Sequence, residues 1–84
     1  MKPDEICASY AQKKVGISIR LLEDENLQDK AVIIEGSRAA LEMLSKLILS
    51  IATGVEEDFY ISPNGPGMVH FSKDATLGVY IHRK

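Results

Sequence analysis

The sequence predicts a two-layer α+β fold, in which one amphipathic helix packs on one face of an antiparallel β-sheet. Apolar residues recur at helical spacing across residues 37–53, and a capping residue stands at each end of that segment. Short alternating or β-branched segments lie on both sides of it, separated by turn-forming residues. Because such local connections favour antiparallel neighbours, the expected element order is β-β-α-β-β-β.

The length of the chain predicts a single domain. Its 84 residues suffice for one hydrophobic core and no second one. Residues 1–14 are polar with few apolar anchors, so we expect a short helical turn or a loosely packed N-terminal arm. The one cysteine, Cys7, has no partner for an internal disulfide, and we interpret it as an ordinary thiol in that arm.

Two strands are predicted before the helix. Residues 15–21 alternate between apolar and polar side chains, which is typical of a half-buried strand. The acidic and polar residues 23–30 indicate a solvated loop. Residues 31–35 are rich in β-branched side chains and are followed by Gly36, which indicates a second strand.

The predicted helix begins after Ser37, whose hydroxyl can accept a hydrogen bond from the first turn, and ends at Gly54, expected in the left-handed conformation. An arc of about 140° on the helix is expected to hold its apolar face. This face consists of Ala40, Leu41, Leu44, Leu47, Ile48, Ile51 and Ala52. Leu49 projects from the polar side instead. We interpret it as covered by the arm or simply exposed, with a partner contact as the alternative.

Three strands are predicted after the helix. The first comprises residues 59–61, and residues 63–67 have the turn chemistry of a hairpin leading to a strand at residues 68–71. Residues 77–83 alternate again and predict the last strand.

Alternation assigns the strand side chains to two faces. The face under the helix is expected to contain Val15, Ile17, Ile19, Leu21, Val32, Ile34, Phe59, Ile61, Val69, Phe71, Leu77, Val79 and Ile81. The opposite face is expected to contain Ser18, Arg20, Ile33, Glu35, Tyr60, Met68, His70, Tyr80 and His82. Tyrosine, histidine and arginine offer apolar area with polar tips, which suits a protein partner. The alternative is that the tyrosines are only good strand formers.

A further acidic group precedes the third strand. Glu56, Glu57 and Asp58 read most simply as a solvated charge run. Together with residues 23–25, they could also present negative potential to a basic partner.

Composition argues against several classes of protein. The formal net charge of −2 lacks the positive excess that nucleic-acid binding requires. The longest apolar run, residues 47–49, is too short to cross a bilayer, and no signal-peptide pattern follows the first residues. With a single cysteine, a reducing cytoplasm is the expected compartment.

No pattern indicates a catalytic, cofactor or metal site, so we predict a protein that is not an enzyme. His70 and His82 would need a third ligand or an orienting carboxylate, which their spacing does not specify. The glycine-rich residues 62–67 join two strands and include two prolines without N–H donors, unlike a phosphate-binding loop.

Residues 31–83 resemble a known family. A strand ending in Glu35-Gly36, a leucine-rich helix after Ser37, and a strand within residues 74–81 are similar to immunity-protein family 32 of bacterial polymorphic toxin systems. The resemblance implies a stoichiometric inhibitor that binds a cognate toxin in the producing cell and blocks its active site or assembly. No binding residue is carried over from the family.

The leading hypothesis is therefore a non-enzymatic protein-interaction module, an immunity protein that binds and neutralises a toxin. The candidate partner contacts are Arg20, Leu49, Glu56, Glu57, Asp58, Tyr60, His70, Tyr80 and His82. The alternative is a small ligand-binding or regulatory domain that uses the open sheet face and can form a homodimer.

Overall fold

The computed structural model describes residues 1–26 and 28–84. These residues form α1 (Pro3–Tyr10), β1 (Ser18–Leu22), β2 (Ala31–Glu35), α2 (Arg38–Thr53), β3 (Asp58–Ile61) and β4 (Val79–His82). Short 3-10 helices occupy Ala11–Lys13 and Met68–His70. The α+β class is confirmed. The predicted single sheet is instead two antiparallel pairs within the described residues, β1 with β2 and β3 with β4.

The sheet divides because the predicted strand at residues 68–71 does not form. Gly67 has a φ of 75°, and the carbonyls of Gly65 and Gly67 accept hydrogen bonds from the N–H groups of Met68 and His70. These local bonds produce a 3-10 helix, which uses donors that a strand would direct to a neighbour. The hairpin prediction for this segment was therefore wrong.

An irregular segment covers one edge of β1 in place of a strand. The N–H of Ile17 donates to the carbonyl of His70, and its carbonyl accepts from Ser72, both at 2.8 Å. The carbonyl of Ile19 accepts from Leu77 at 2.9 Å. Residues 70–77 thus bond to this edge at Ile17 and Ile19, while β2 pairs with the other edge of β1.

Helix α2 matches its predicted start. The Ser37 hydroxyl accepts from the N–H of Ala40 at 3.1 Å and donates to the Val15 carbonyl at 2.8 Å, joining the helix cap to the start of β1. The end differs, because Gly54 has a φ of −93° and is not left-handed. The Arg83 guanidinium caps this end by donating to the carbonyls of Ile51 and Gly54, each at 2.8 Å.

The N-terminal segment is not a loose arm. It forms α1, whose Ile6 and Tyr10 are buried against α2 in the main core. The Lys46 ammonium donates to the Tyr10 hydroxyl at 2.8 Å, and the Ser50 hydroxyl donates to the Met1 carbonyl at 2.8 Å. The first residues therefore contribute to stability.

The core lies between the two helices and the inner faces of β1 and β3. Its buried hydrophobic residues are Ile6, Tyr10, Val15, Ile17, Ile19, Ala40, Met43, Leu44, Leu47, Ile51 and Ile61. The predicted core members Leu21, Val32, Ile34 and Val69 are exposed, as are Leu41 and Ile48 of the helix. Burial on this face stops at Ile19, so the far half of the β1–β2 hairpin extends beyond the core.

Candidate protein-binding face

The outer face of the β3–β4 pair gathers four of the predicted contact residues. The antiparallel register places Tyr60 opposite Tyr80 and Asp58 opposite His82. Since strand side chains alternate, these four lie on one face, while the intervening Phe59 packs partly buried against the core. We call Asp58, Tyr60, Tyr80 and His82 the aromatic ladder.

Contacts within the aromatic ladder hold its rings in place. The ring centroids of Tyr60 and Tyr80 lie 6.3 Å apart, and those of Tyr80 and His82 also lie 6.3 Å apart. Both distances fall in the range of favourable tilted aromatic pairs. Tyr60 is 46% exposed and Tyr80 62% exposed, so the ladder offers aromatic surface that is ordered and open to solvent.

A hydrogen bond joins the aromatic and acidic parts of the ladder. The Tyr80 hydroxyl donates to a carboxylate oxygen of Asp58 at 2.9 Å. The hydrogen bond to Asp58, which the protonated hydroxyl makes, raises the pKa of Tyr80 above its ordinary value. The bond ties the Tyr80 ring to the acidic end of the ladder.

The acidic residues before β3 continue the ladder along the chain. The N–H of Arg83 donates to the carbonyl of Glu57 at 2.8 Å, which extends the β3–β4 pairing by one residue. Glu56 and Glu57 immediately precede Asp58, so three acidic residues follow one another where β3 begins. The sequence assigned Asp58 to an acidic loop, whereas its alternation with Tyr60 could have placed it on this face.

Arg20 lies on the other sheet, away from the ladder. Its guanidinium is 2.7 Å from Glu35 and 3.6 Å from Asp74, and it donates to the Ser18 hydroxyl at 2.6 Å. A hydrogen bond from Ser72 and the nearby Arg20 charge lower the pKa of Asp74. Arg20 thus organises a local network that ties β1 to β2 and to the segment after Phe71.

Leu49 lies on the side of α2 that faces α1. It is 62% exposed and borders a depression of about 210 Å³ together with Met1, Ile6 and Thr53. The N-terminal helix contacts this region without burying Leu49. A partner that used Leu49 would bind a surface separate from the aromatic ladder.

His70 does not face solvent, contrary to the alternation prediction. It is 3% exposed because the 3-10 helix replaces a strand and turns its ring inward. Within the described residues, its Nδ1 atom has no hydrogen-bond partner. Burial lowers the pKa of His70 below its ordinary value, since the charged form loses hydration without gaining an acceptor.

This burial predicts a pH dependence of stability. The unfolded chain takes up a proton at His70 below about pH 6.5, while the folded chain does not, so acid favours unfolding. The stability that the folded chain gains from keeping His70 neutral is fully present above that pH and decreases as the pH falls. We expect the urea midpoint to decrease between about pH 7 and about pH 5.

The matched variants His70→Gln and His82→Gln test this assignment. We expect His70→Gln to flatten the pH dependence and His82→Gln, at an exposed position, to retain it. Equal slopes in the wild type and His70→Gln would contradict the role of His70.

Cys7 has the environment of an unreactive thiol. It is half-buried against the core, and burial together with the neighbouring Asp4 charge raises its pKa. The thiolate that nucleophilic chemistry requires is therefore disfavoured at neutral pH.

Within residues 1–26 and 28–84, no group of three or more histidine, cysteine, aspartate or glutamate side chains could hold a metal ion. No helix in the same ranges is long and apolar enough to cross a membrane.

Comparisons with protein-family models, with curated proteins and with solved structures find no match for this chain. The resemblance of residues 31–83 to an immunity-protein family stays a sequence-based hypothesis.

Proposed function

We propose that this chain is a non-enzymatic module that binds a protein partner through the aromatic ladder. The observation that carries the proposal is the exposed Tyr60–Tyr80 pair, held by the hydrogen bond from Tyr80 to Asp58. Tyrosine is enriched where proteins bind one another, because its ring supplies contact area and its hydroxyl keeps a polar partner.

Preorganisation of the ladder supports binding. A free side chain that becomes fixed at an interface costs about 0.5–1.5 kcal/mol, and tyrosine has few rotatable bonds to lose. The pairing with Tyr60 and the bond to Asp58 already restrain the Tyr80 ring. Ordering this surface on binding therefore costs less free energy.

Charge indicates the kind of partner. The Asp58 carboxylate accepts a hydrogen bond from Tyr80, Glu56 and Glu57 precede Asp58 in the chain, and the formal net charge is −2. A partner with a basic patch would approach this end faster and in a preferred orientation. We accordingly propose a partner that combines an apolar surface with neighbouring lysine or arginine.

The more specific proposal is that the partner is a bacterial toxin and that this chain neutralises it. The family resemblance of residues 31–83 supports this role. A stoichiometric inhibitor needs a stable, preformed surface and no chemistry of its own. The aromatic ladder meets the first requirement.

Co-expression with the product of the adjacent open reading frame tests the proposal. We expect the wild type to form a one-to-one complex and to protect cells from that product. Tyr80→Ala removes the ring and its bond to Asp58, and we expect it to weaken binding by about 30-fold, or about 2 kcal/mol. Isothermal titration calorimetry with the purified toxin measures the difference.

Val69→Ala is the control, because Val69 is exposed and lies outside the ladder. We expect it to bind and protect like the wild type. Tyr80→Phe keeps the ring but not the bond, so its loss should be smaller than that of Tyr80→Ala. Full affinity and protection with Tyr80→Ala would refute the ladder as the binding face.

The alternative function, a small ligand-binding or regulatory domain, has less support. One apolar depression between α2 and β4, lined by Ile48, Ile51 and Ile81, has a volume of about 260 Å³. A second depression, bordered by Lys14, Val69 and Phe71, has a volume of about 500 Å³, within the range typical of small-molecule sites. A thermal-shift screen of metabolites and metals would favour this function if a ligand raised the melting temperature.

A further inference from the structure

The outer edge of β2 presents backbone groups that no other described residue pairs with, and the hydrogen bonds of β1 show which ones. Ile17 and Ile19 direct their backbone groups to residues 70–77, away from β2. In an antiparallel ladder, successive residues point their N–H and C=O groups to opposite sides. Ser18 and Arg20 therefore bond to β2.

The same alternation continues into β2. Ser18 is paired with Glu35 and Arg20 with Ile33, so Ile33 and Glu35 direct their backbone groups to β1. Val32 and Ile34 consequently direct theirs to the outer edge. Among the hydrogen bonds between described residues outside regular helices and strands, none reaches Val32 or Ile34.

The side chains at this edge are apolar and accessible. Val32 is 52% exposed and Ile34 is 51% exposed, and Leu21, opposite Val32, is 52% exposed. Edge strands in soluble proteins are normally protected by lysine, proline or a bulge. The strand Ala31–Glu35 contains neither lysine nor proline, and its one charged residue, Glu35, is paired with Arg20.

We propose that β2 pairs with β2 of a second copy of this chain, antiparallel and about a two-fold axis at Ile33. Val32 of each copy then lies opposite Ile34 of the other, and Ala31 lies opposite Glu35. Each Val32–Ile34 pair exchanges an N–H and a C=O in both directions, using the groups that point outward. The two hairpins become one continuous four-stranded sheet.

The sequence of β2 is complementary to itself, so the partner expected at this edge is β2 of a second copy of the chain. Centring the pairing on Ile33 sets apolar residues against apolar residues, and Glu35, already paired with Arg20, meets only Ala31. Centring it on Val32 would oppose Asp29 and Glu35, which repel. Centring it on Ile34 would oppose Ile33 and Glu35. One register is therefore preferred.

The expected association is weak. A single strand pairing with two rows of apolar side chains buries less than the roughly 1,200 Å² of a standard stable interface. We expect a dissociation constant of about 10–100 µM, in the range of transient contacts. The aromatic ladder lies on the other strand pair, so this proposal is independent of partner binding.

Sedimentation equilibrium and amide hydrogen exchange of the full chain test the proposal. Between about 5 µM and about 1 mM, we expect a shift from monomer to dimer. Over the same range, the amides of Val32 and Ile34 gain protection, while that of Ile33, bonded within the monomer, is protected throughout. A monomer at every concentration, or a dimer in which Val32 and Ile34 gain no protection, would overturn the proposal.

Matched variants separate this edge from general surface effects. Val32→Lys places a charge at the edge without removing any bond to β1, and we expect it to weaken dimerisation by at least about tenfold. Val69→Lys makes the same change at a position that is 63% exposed and distant in sequence from β2, and it should dimerise like the wild type. Equal effects of the two variants would refute pairing through β2. Circular dichroism verifies that both variants are folded.

Discussion

Replacing Leu47 with alanine is expected to lower the free energy of unfolding by about 3 kcal/mol. Leu47 is completely buried, in the cluster where α1, α2, β1 and β3 meet. The substitution removes apolar contacts and leaves a cavity that the surrounding elements fill only in part. A domain of this size has about 5–10 kcal/mol of stability, so the loss should be a large share of it.

Leu49→Ala makes the same chemical change two residues further along the same helix. Because Leu49 is exposed and helix propensity changes equally at both positions, we expect an effect of about 0.5 kcal/mol or less. Urea unfolding followed by circular dichroism compares the two variants. Similar losses for Leu47→Ala and Leu49→Ala would show that the apolar face of α2 is assigned incorrectly.

Replacing Gly67 with alanine is expected to cost about 2–4 kcal/mol. Gly67 has a φ of 75°, which a residue with a Cβ adopts only with strain. An added Cβ would also lie 2.7 Å from Cγ2 of Ile61, a buried core residue with little room to move. The variant should therefore disturb the 3-10 helix that carries His70.

Gly65→Ala is the control for this position. It lies in the same turn, but its added Cβ would meet the Ser62 side chain at an ordinary contact distance of 3.7 Å. We expect a change within about 0.5 kcal/mol, measured by the same urea titration. If Gly67→Ala were as stable as Gly65→Ala, the conformation of residues 65–70 described above would be wrong.

The connection that contains Gly67 leads to β4 and so to the aromatic ladder. The 3-10 helix connects β3 to the segment that covers β1, and Gly78 of that connection closely approaches the backbone at Ser62. Packing at this connection therefore helps to position β4, which contributes Tyr80 and His82 to the aromatic ladder.

Local sequence signals predicted a substantial part of the fold. Ser37 was identified as the N-cap of α2, because its hydroxyl and the apolar spacing that follows depend only on nearby residues. The strand at Phe59 and Ile61 and the last strand were also predicted. Alternation alone placed Tyr60, Tyr80 and His82 on one face, and the structure brings them together there.

Other features required contacts between distant residues. Strand alternation predicts His70 on the outer face. The carbonyls of Gly65 and Gly67 accept hydrogen bonds that form a 3-10 helix instead, so the alternation does not apply to His70. Arg83 had no assigned role, although it caps α2 from the far end of the chain. No local pattern specifies a cap donated from 32 residues away.

The sequence by itself determined α2, four of the five predicted strand segments and the alternation that gives each strand two faces, because these depend on residue type and spacing. Only the tertiary structure decided which faces are covered. It placed α1 in the core, left Leu21, Val32 and Ile34 exposed, and opened the outer edge of β2. The physical reason is that burial is a property of what packs above a surface, and two short helices cover only part of two strand pairs.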